Sequence, residues 1–110
     1  MMVIRMGTDT GSLTVWLSGE LDHHAARTLR EQVDSAVGRS AAKHLRLDFS
    51  GVTFMDSSGI GLIMGRYRLM LSRGGTLSVV GASERLRRVM KLAGLEKLPI
   101  WDDTKEVTHL

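Results

Sequence analysis

The spacing of apolar residues changes several times along this chain, and these changes constrain its fold more than any other feature. Every second residue is apolar in the segment 12–18, which predicts a β-strand. Over residues 25–38 the apolar residues instead fall on one face of a helix, with Gly38 as the expected stop. The chain therefore alternates strand with helix. This predicts one central sheet covered by helices, with parallel strand pairs joined by right-handed crossovers.

The same reasoning assigns the other elements. A strand over residues 2–6 precedes the turn residues 7–11, so the chain begins with a β-hairpin, which makes the sheet mixed. The further elements are a strand over 44–49, a helix after Asp56 that ends at Arg73, a strand over 77–80, a helix that begins at Ser83 and is closed by Gly94, a short extended piece over 99–101, and a terminal helix that begins at Asp102 or Asp103 and carries Val107 and Leu110. We expect these elements to form a single domain over residues 1–110.

The composition removes several classes of function. With no cysteine in 110 residues, disulfides, cysteine-bound zinc, iron–sulfur clusters and thiol nucleophiles are all excluded, which fits a reducing cytoplasm. No stretch reaches the roughly 20 apolar residues that span a bilayer, and the turn residues 7–9 follow the start too soon for a signal peptide. We therefore expect a cytoplasmic protein without membrane contact. The net charge of +3 is too small to indicate a nucleic-acid partner.

The segment Asp56-Ser57-Ser58-Gly59 follows a predicted strand and opens a predicted helix. Free backbone N–H groups and the positive end of the macrodipole meet in such a first turn, so a hydroxyl there tolerates an added phosphate. Gly59 and Gly61 would let the active site of another protein approach closely, and Met55 is a candidate for adaptable contact surface. The alternative is a helix cap whose glycines permit tight packing against a strand. On the residues alone, this is the commoner arrangement.

A nucleophilic serine is the enzymatic alternative. His23 and His24 are the available bases, but the Gly-x-Ser-x-Gly pattern of a nucleophile elbow is absent and no oxyanion motif is visible. We therefore expect no catalytic residue, and a serine hydrolase stays a remote alternative.

The turn Asp22-His23-His24 leads from the second predicted strand into the first helix, and Asp22 is its natural N-cap. Adjacent histidines suggest a metal site, but neighbours do not share a helix face. In addition, no His or Glu recurs four residues later. We therefore expect no metal here.

Four basic residues lie on the third predicted helix: Arg85, Arg87, Arg88 and Lys91. A solvated face is the usual explanation of such a cluster, and an acidic partner or a phosphate backbone is the alternative. No helix-turn-helix pattern accompanies the cluster, and aromatic residues make up only 5% of the chain. Direct nucleic-acid binding is therefore not expected.

Three stretches resemble the STAS domain family, and within it the anti-sigma-factor antagonists that govern bacterial sporulation. They are Gly19-Glu20-Leu21-Asp22-His23-His24-Ala25-Ala26, Phe54-Met55-Asp56-Ser57-Ser58-Gly59-Ile60-Gly61 and Gly65-Arg66-Tyr67. The similarity runs from about residue 3 to about residue 100, with the expected order of elements. The resemblance implies an α/β fold: a mixed sheet of four to five strands with about four helices packed mainly on one side.

The resemblance also implies partner switching, with no cofactor and no catalysis by this chain. In that family the unphosphorylated antagonist binds an anti-sigma factor that is also an ATP-dependent serine kinase, which frees a sigma factor. The kinase phosphorylates the first serine after the Asp, here Ser57, and the phosphorylated antagonist dissociates from it. A serine phosphatase then restores the active form. The implied partner-binding residues are Glu20, Asp22, His23, His24, Met55, Asp56, Ser57, Ser58, Gly59, Ile60 and Gly61. The alternative within the family is a scaffold, or a small-ligand or nucleotide-binding module, in a sensory assembly.

Overall fold

A computed structural model describes residues 1–102 of the chain. Its elements, in chain order, are β1 (Met2–Asp9), β2 (Ser12–Leu21), α1 (His23–Ser40), β3 (His44–Met55), α2 (Ser57–Ser72), β4 (Thr76–Val80), α3 (Glu84–Leu92) and a short 3-10 helix (Leu95–Lys97). The terminal helix predicted from Asp102 or Asp103 lies outside the described residues.

The four strands form one sheet in the order β1-β2-β3-β4. β1 is antiparallel to β2, whereas β3 is parallel to both β2 and β4. The predicted hairpin and the mixed sheet are therefore confirmed. The sheet has four strands, within the expected four to five, and residues 1–102 contain three α-helices. The extended piece near residue 100 contributes an isolated parallel bridge between Trp101 and Val79, in which the Val79 N–H donates to the Ile100 carbonyl at 2.6 Å.

Alternate residues of the central strands point into one core. The buried strand residues are Leu13, Val15 and Leu17 on β2, Leu45, Leu47 and Phe49 on β3, and Leu77 and Val79 on β4. Residues such as Leu29 on α1 and Ile63 on α2 pack against them, and burial of each such side chain contributes about 1.5–3 kcal/mol. Between them, Thr14, Trp16 and Arg46 stay half-buried or exposed, so the helices cover mainly one face of the sheet.

The first helix runs past its expected stop. α1 continues through Gly38 to Ser40 and ends at Ala41, which takes the left-handed conformation with φ of 57°. The Ser40 hydroxyl accepts a hydrogen bond from the Ala42 backbone N–H at 3.2 Å, which stabilises this turn. An exposed glycine inside a helix weakens it without ending it, so the next turn continues.

The first residues of the helices agree more closely with the sequence-based expectation than the end of α1 does. Asp22, Asp56 and Ser83 are the N-caps of α1, α2 and α3, and each side chain accepts a hydrogen bond from a backbone N–H of the first turn. Among residues 1–102, none of the helices is both long and apolar enough to cross a membrane.

Candidate functional site

Two helices begin side by side at one edge of the sheet. β2 and β3 are parallel neighbours, and their last residues, Leu21 and Met55, are register partners. The chain then enters α1 from β2 and α2 from β3, and the Asp56 N–H donates to the Leu21 carbonyl at 3.4 Å. The turn after β2 and the turn after β3 therefore form one continuous surface, which brings together the two motifs that carry the resemblance.

An aspartate caps each helix at this surface. Asp22 Oδ1 accepts a hydrogen bond from the Ala25 N–H at 2.9 Å, and Asp56 Oδ1 accepts one from the Ser58 N–H at 2.8 Å. Both carboxylates stand at the positive ends of helix macrodipoles, where negative charge is stabilised. The structure thus gives Asp22 and Asp56 the capping role and leaves both half-buried, with part of each side chain open to a partner.

The two serines of the motif differ in their surroundings. Ser57 is exposed, and no side-chain hydrogen bond of its hydroxyl is seen within residues 1–102. Ser58 is half-buried, and its Oγ lies 3.2 Å from Nδ1 of the exposed His23. One hydroxyl therefore faces solvent while the other joins α1 to α2.

The two adjacent histidines, His23 and His24, line different parts of the surface. His23 lies against Ser58 and borders the groove between α1 and α2, whereas His24 lines a separate pocket with Glu20 and Asp22. Within residues 1–102, no cluster of three or more His, Asp or Glu side chains that could hold a metal ion is found around either histidine.

The turn Asp56-Ser57-Ser58-Gly59, here called the serine turn, rests on side chains that are buried rather than exposed. Met55 is 6% exposed, so its side chain supports the turn from within the core and does not offer the contact surface considered above. A Cβ on Gly59 would meet the Met55 side chain, with Sδ at 2.6 Å, and the Leu21 side chain at 3.2 Å. Gly59 is therefore needed for helix–strand packing. Gly61, by contrast, has open space around the position of a Cβ, and Ile60 is half-buried.

A groove between α1 and α2 was not predicted from the sequence. It has a volume of about 570 Å³ and extends from the serine turn along both helices. Its charged lining residues are Arg27 and Arg30 of α1 and Arg66 of α2, together with His23. The spacing of Gly61 and Gly65, four residues apart on one side of α2, is the signal that would have indicated an open groove there.

The exposed side chain of Phe54 is a second feature that sequence analysis did not single out. It is 50% exposed, and its register partner Glu20 on β2 is exposed as well. A large aromatic side chain left in solvent beside a functional turn is typical of protein-binding surfaces.

The basic residues of α3 make mostly local contacts. The Arg87 guanidinium lies 4.6 Å from the centre of the Trp101 ring, and Lys91 Nζ lies 3.9 Å from Glu96 Oε1. Arg85 and Arg88 are exposed. These contacts fit the expectation of a solvated face.

Comparison with known proteins agrees with this geometry. The profile of the STAS domain matches residues 3–107, nearly the whole chain. The chain belongs to the STAS domain family. An anti-sigma F factor antagonist of Paenibacillus polymyxa is a relative at 42% identity over 101 residues, covering 91% of this chain and 86% of the relative.

Two solved structures of STAS proteins are similar over almost the full length. One is the anti-sigma factor antagonist SpoIIAA in its unphosphorylated form, with a TM-score of 0.74 and 29% identity, covering 97% of this chain and 94% of that one. The other is the Bacillus cell fate determinant SpoIIAA in the phosphorylated form, with a TM-score of 0.73 and 28% identity, covering 97% of each chain.

Proposed function

We propose that this STAS protein is an anti-sigma-factor antagonist that works by partner switching. Unphosphorylated, it binds an anti-sigma factor with serine kinase activity and frees a sigma factor. Phosphorylation of Ser57 by that kinase ends the complex. The observation that carries the proposal is the exposed Ser57 hydroxyl at the start of α2, beside the aspartate-capped turns of α1 and α2.

Ser57 suits a phosphoryl acceptor better than Ser58. A kinase active site must reach the hydroxyl, and Ser57 is exposed whereas Ser58 is half-buried against His23. At the start of a 16-residue helix, a phosphate on Ser57 would also lie near unsatisfied backbone N–H groups and the positive macrodipole end. The fold can therefore accept this phosphate without rearrangement.

The same phosphate would weaken the complex. It brings about −1.5 to −2 charges next to the Asp56 carboxylate and must lose its hydration when the turn is covered by a partner. A loss of about 3 kcal/mol lowers affinity roughly a hundredfold, which is enough to reverse a competition between partners. The similarity of this chain to both forms of SpoIIAA, with TM-scores of 0.74 and 0.73, supports a switch that keeps the fold.

The surface proposed for the anti-sigma factor differs from the set of residues implied by the resemblance: it omits Met55 and Gly59 and adds Phe54. Its residues are Glu20, Asp22, His23, His24, Phe54, Asp56, Ser57, Ser58, Ile60 and Gly61. Met55 and Gly59 support it from beneath. A serine phosphatase would restore the active form, and we propose a cytoplasmic location because the sigma factor and its kinase act there.

The proposal is tested with the anti-sigma kinase of the same organism. The unphosphorylated chain should bind the kinase and displace its sigma factor, and the Ser57→Asp variant should bind at least tenfold more weakly. Ser35→Asp is the matched control, since Ser35 is an exposed serine of α1 twelve residues beyond His23, about 18 Å along the helix. The proposal would be overturned if neither the parent nor the Ser35→Asp control bound the kinase.

A serine hydrolase is the second candidate, because the contact between His23 and Ser58 is one that a base and its nucleophile would make. Such a pair also needs a group that orients the imidazole, and within residues 1–102 no further hydrogen bond of His23 is seen. A screen of activated esters tests it: turnover that is lost in Ser58→Ala would favour the hydrolase.

A further inference from the structure

The groove between α1 and α2 carries more positive charge than its own residues neutralise. Asp34 lies 2.9 Å from Arg66 Nε and forms an ion pair with it. No ion pair or hydrogen bond of the Arg27 and Arg30 side chains is seen within the described part of the chain, and both are exposed. Of the three arginines that line the groove, only Arg66 is therefore seen to pair with a carboxylate.

Arg66 has a donor without a partner. The residue is 7% exposed, and its Nη1 is buried without a hydrogen-bond partner among residues 1–102. Burial lowers the pKa of the Arg66 guanidinium, Asp34 opposes this effect, and Arg30 adds to it. A buried guanidinium beside a second arginine is stabilised by additional negative charge.

The groove also has room for a side chain from outside. A Cβ at Gly61 or Gly65 would meet no atom within 4 Å, so this side of α2 is open along one full turn. His23 and Ser58 both line the groove, and Ser58 directly follows Ser57 in the chain, so a protein that covers Ser57 also borders the groove.

Resting on the proposed function, we propose that this groove is a docking site for carboxylate side chains of the anti-sigma partner. Arginine presents its donors in a planar fork that matches a carboxylate, and charge complementarity favours an acidic segment there. The groove would then hold the partner while the neighbouring serine turn carries the switch. Docking and switching would thus lie on adjacent but separate residues.

Removal of the groove charges tests the proposal. The double variant Arg27→Gln, Arg30→Gln should bind the anti-sigma kinase roughly tenfold more weakly, and its affinity should depend less on salt than that of the parent. The control is Arg68→Gln, Arg85→Gln, which removes the same charge from exposed sites outside the groove and should change affinity less than about twofold. Equal affinity of the groove variant and the parent would overturn the proposal.

Filling the groove gives a second test that does not depend on charge. Gly65→Gln places a side chain in the groove and improves helix propensity, so the thermal midpoint should stay equal or rise while partner affinity falls. Gly38→Gln, at an exposed helical position of α1 with open space, should stabilise the fold and leave affinity unchanged. Unchanged affinity of Gly65→Gln would contradict docking in the groove.

These outcomes separate the groove from the proposed function. If the parent does not bind the kinase, the proposed function fails. If the parent binds and is released by phosphorylation but the groove variants behave like it, only the docking site fails. Saturable binding of inorganic phosphate in the groove, with kinase affinity insensitive to both groove variants, would also overturn the docking site.

Discussion

His23 Nδ1 lies 3.2 Å from Ser58 Oγ, although 35 positions separate the two residues in the chain. This contact ties the start of α1 to the start of α2. The two capped turns therefore form one surface, and a phosphate on Ser57 would stand next to the residue that contacts His23.

Asp22 is expected to matter more to the partner than to the fold. Asparagine is as good an N-cap as aspartate, so Asp22→Asn should lower the free energy of unfolding by no more than about 1 kcal/mol, measured by chemical denaturation. The lost charge should weaken binding to the kinase or slow phosphorylation. Asp9→Asn removes the same charge from the exposed end of β1 and should leave both unchanged. If Asp22→Asn binds and is phosphorylated like the parent, Asp22 is only a cap.

Phosphorylation is expected to change the surface locally. Because the start of α2 can accept an anion, NMR spectra of the two forms should differ mainly at residues 22–24 and 54–62. Shifts spread over the whole sheet would instead indicate a rearrangement of the fold.

Gly59 and Gly61 should respond to alanine in opposite directions. Gly59→Ala forces the Met55 side chain out of its place and should lower the free energy of unfolding by about 1–3 kcal/mol. Gly61→Ala adds a methyl group in open space and should raise it by about 0.5–1 kcal/mol through helix propensity. Urea denaturation of both variants measures the difference. Equal effects would show that Gly59 is not a packing requirement.

His44 should make the fold less stable in mild acid. Burial, and next the neighbouring Arg46, lower the pKa of His44 below its ordinary value of 6.5, with Asp102 acting in the opposite direction. The unfolded chain then binds a proton at a higher pH than the folded one, so the stability contributed by neutral His44 is present above 6.5 and declines as the pH falls below it.

The variant His44→Gln removes this titration and retains a polar group for Thr76 and Ser78. Between about pH 7.5 and about pH 5, its free energy of unfolding should decline less steeply than that of the parent. Parallel pH profiles would rule out a lowered pKa of His44.

The sequence predicted the elements well where hydrophobic period and caps agreed. The alternation in β2 and the caps Asp22, Asp56 and Ser83 were all found as expected. Strand ends were harder to predict. β3 was expected over 44–49 and continues to Met55, because parallel pairing with β2 holds its polar residues in the sheet. The pairing needs register shifts, such as that between Gly19 and Glu20, which no local pattern encodes.

The two turns of the site were predictable from the sequence, but the burial of the residues beneath them and the groove between α1 and α2 were not. The motifs around Asp22 and Ser57 indicated the two turns, and the resemblance to the STAS family implied that both belong to one partner-binding surface. Whether Met55 lies inside or outside depends on how closely α2 approaches β3 at Gly59, a tertiary distance. The charged groove likewise arises only when the arginines of α1 meet Arg66 of α2.

Ser57 is the proposed switch residue, and mapping the phosphorylated position distinguishes it from its neighbours. The chain is incubated with the anti-sigma kinase and ATP, and the modified peptide is sequenced by mass spectrometry for the parent, Ser57→Ala and Ser58→Ala. We expect one phosphate on Ser57 in the parent and in Ser58→Ala, none in Ser57→Ala, and persistent binding of Ser57→Ala to the kinase. A phosphate on Ser58 or Thr53, or release of Ser57→Ala under the same conditions, would contradict the assignment of Ser57 as the switch.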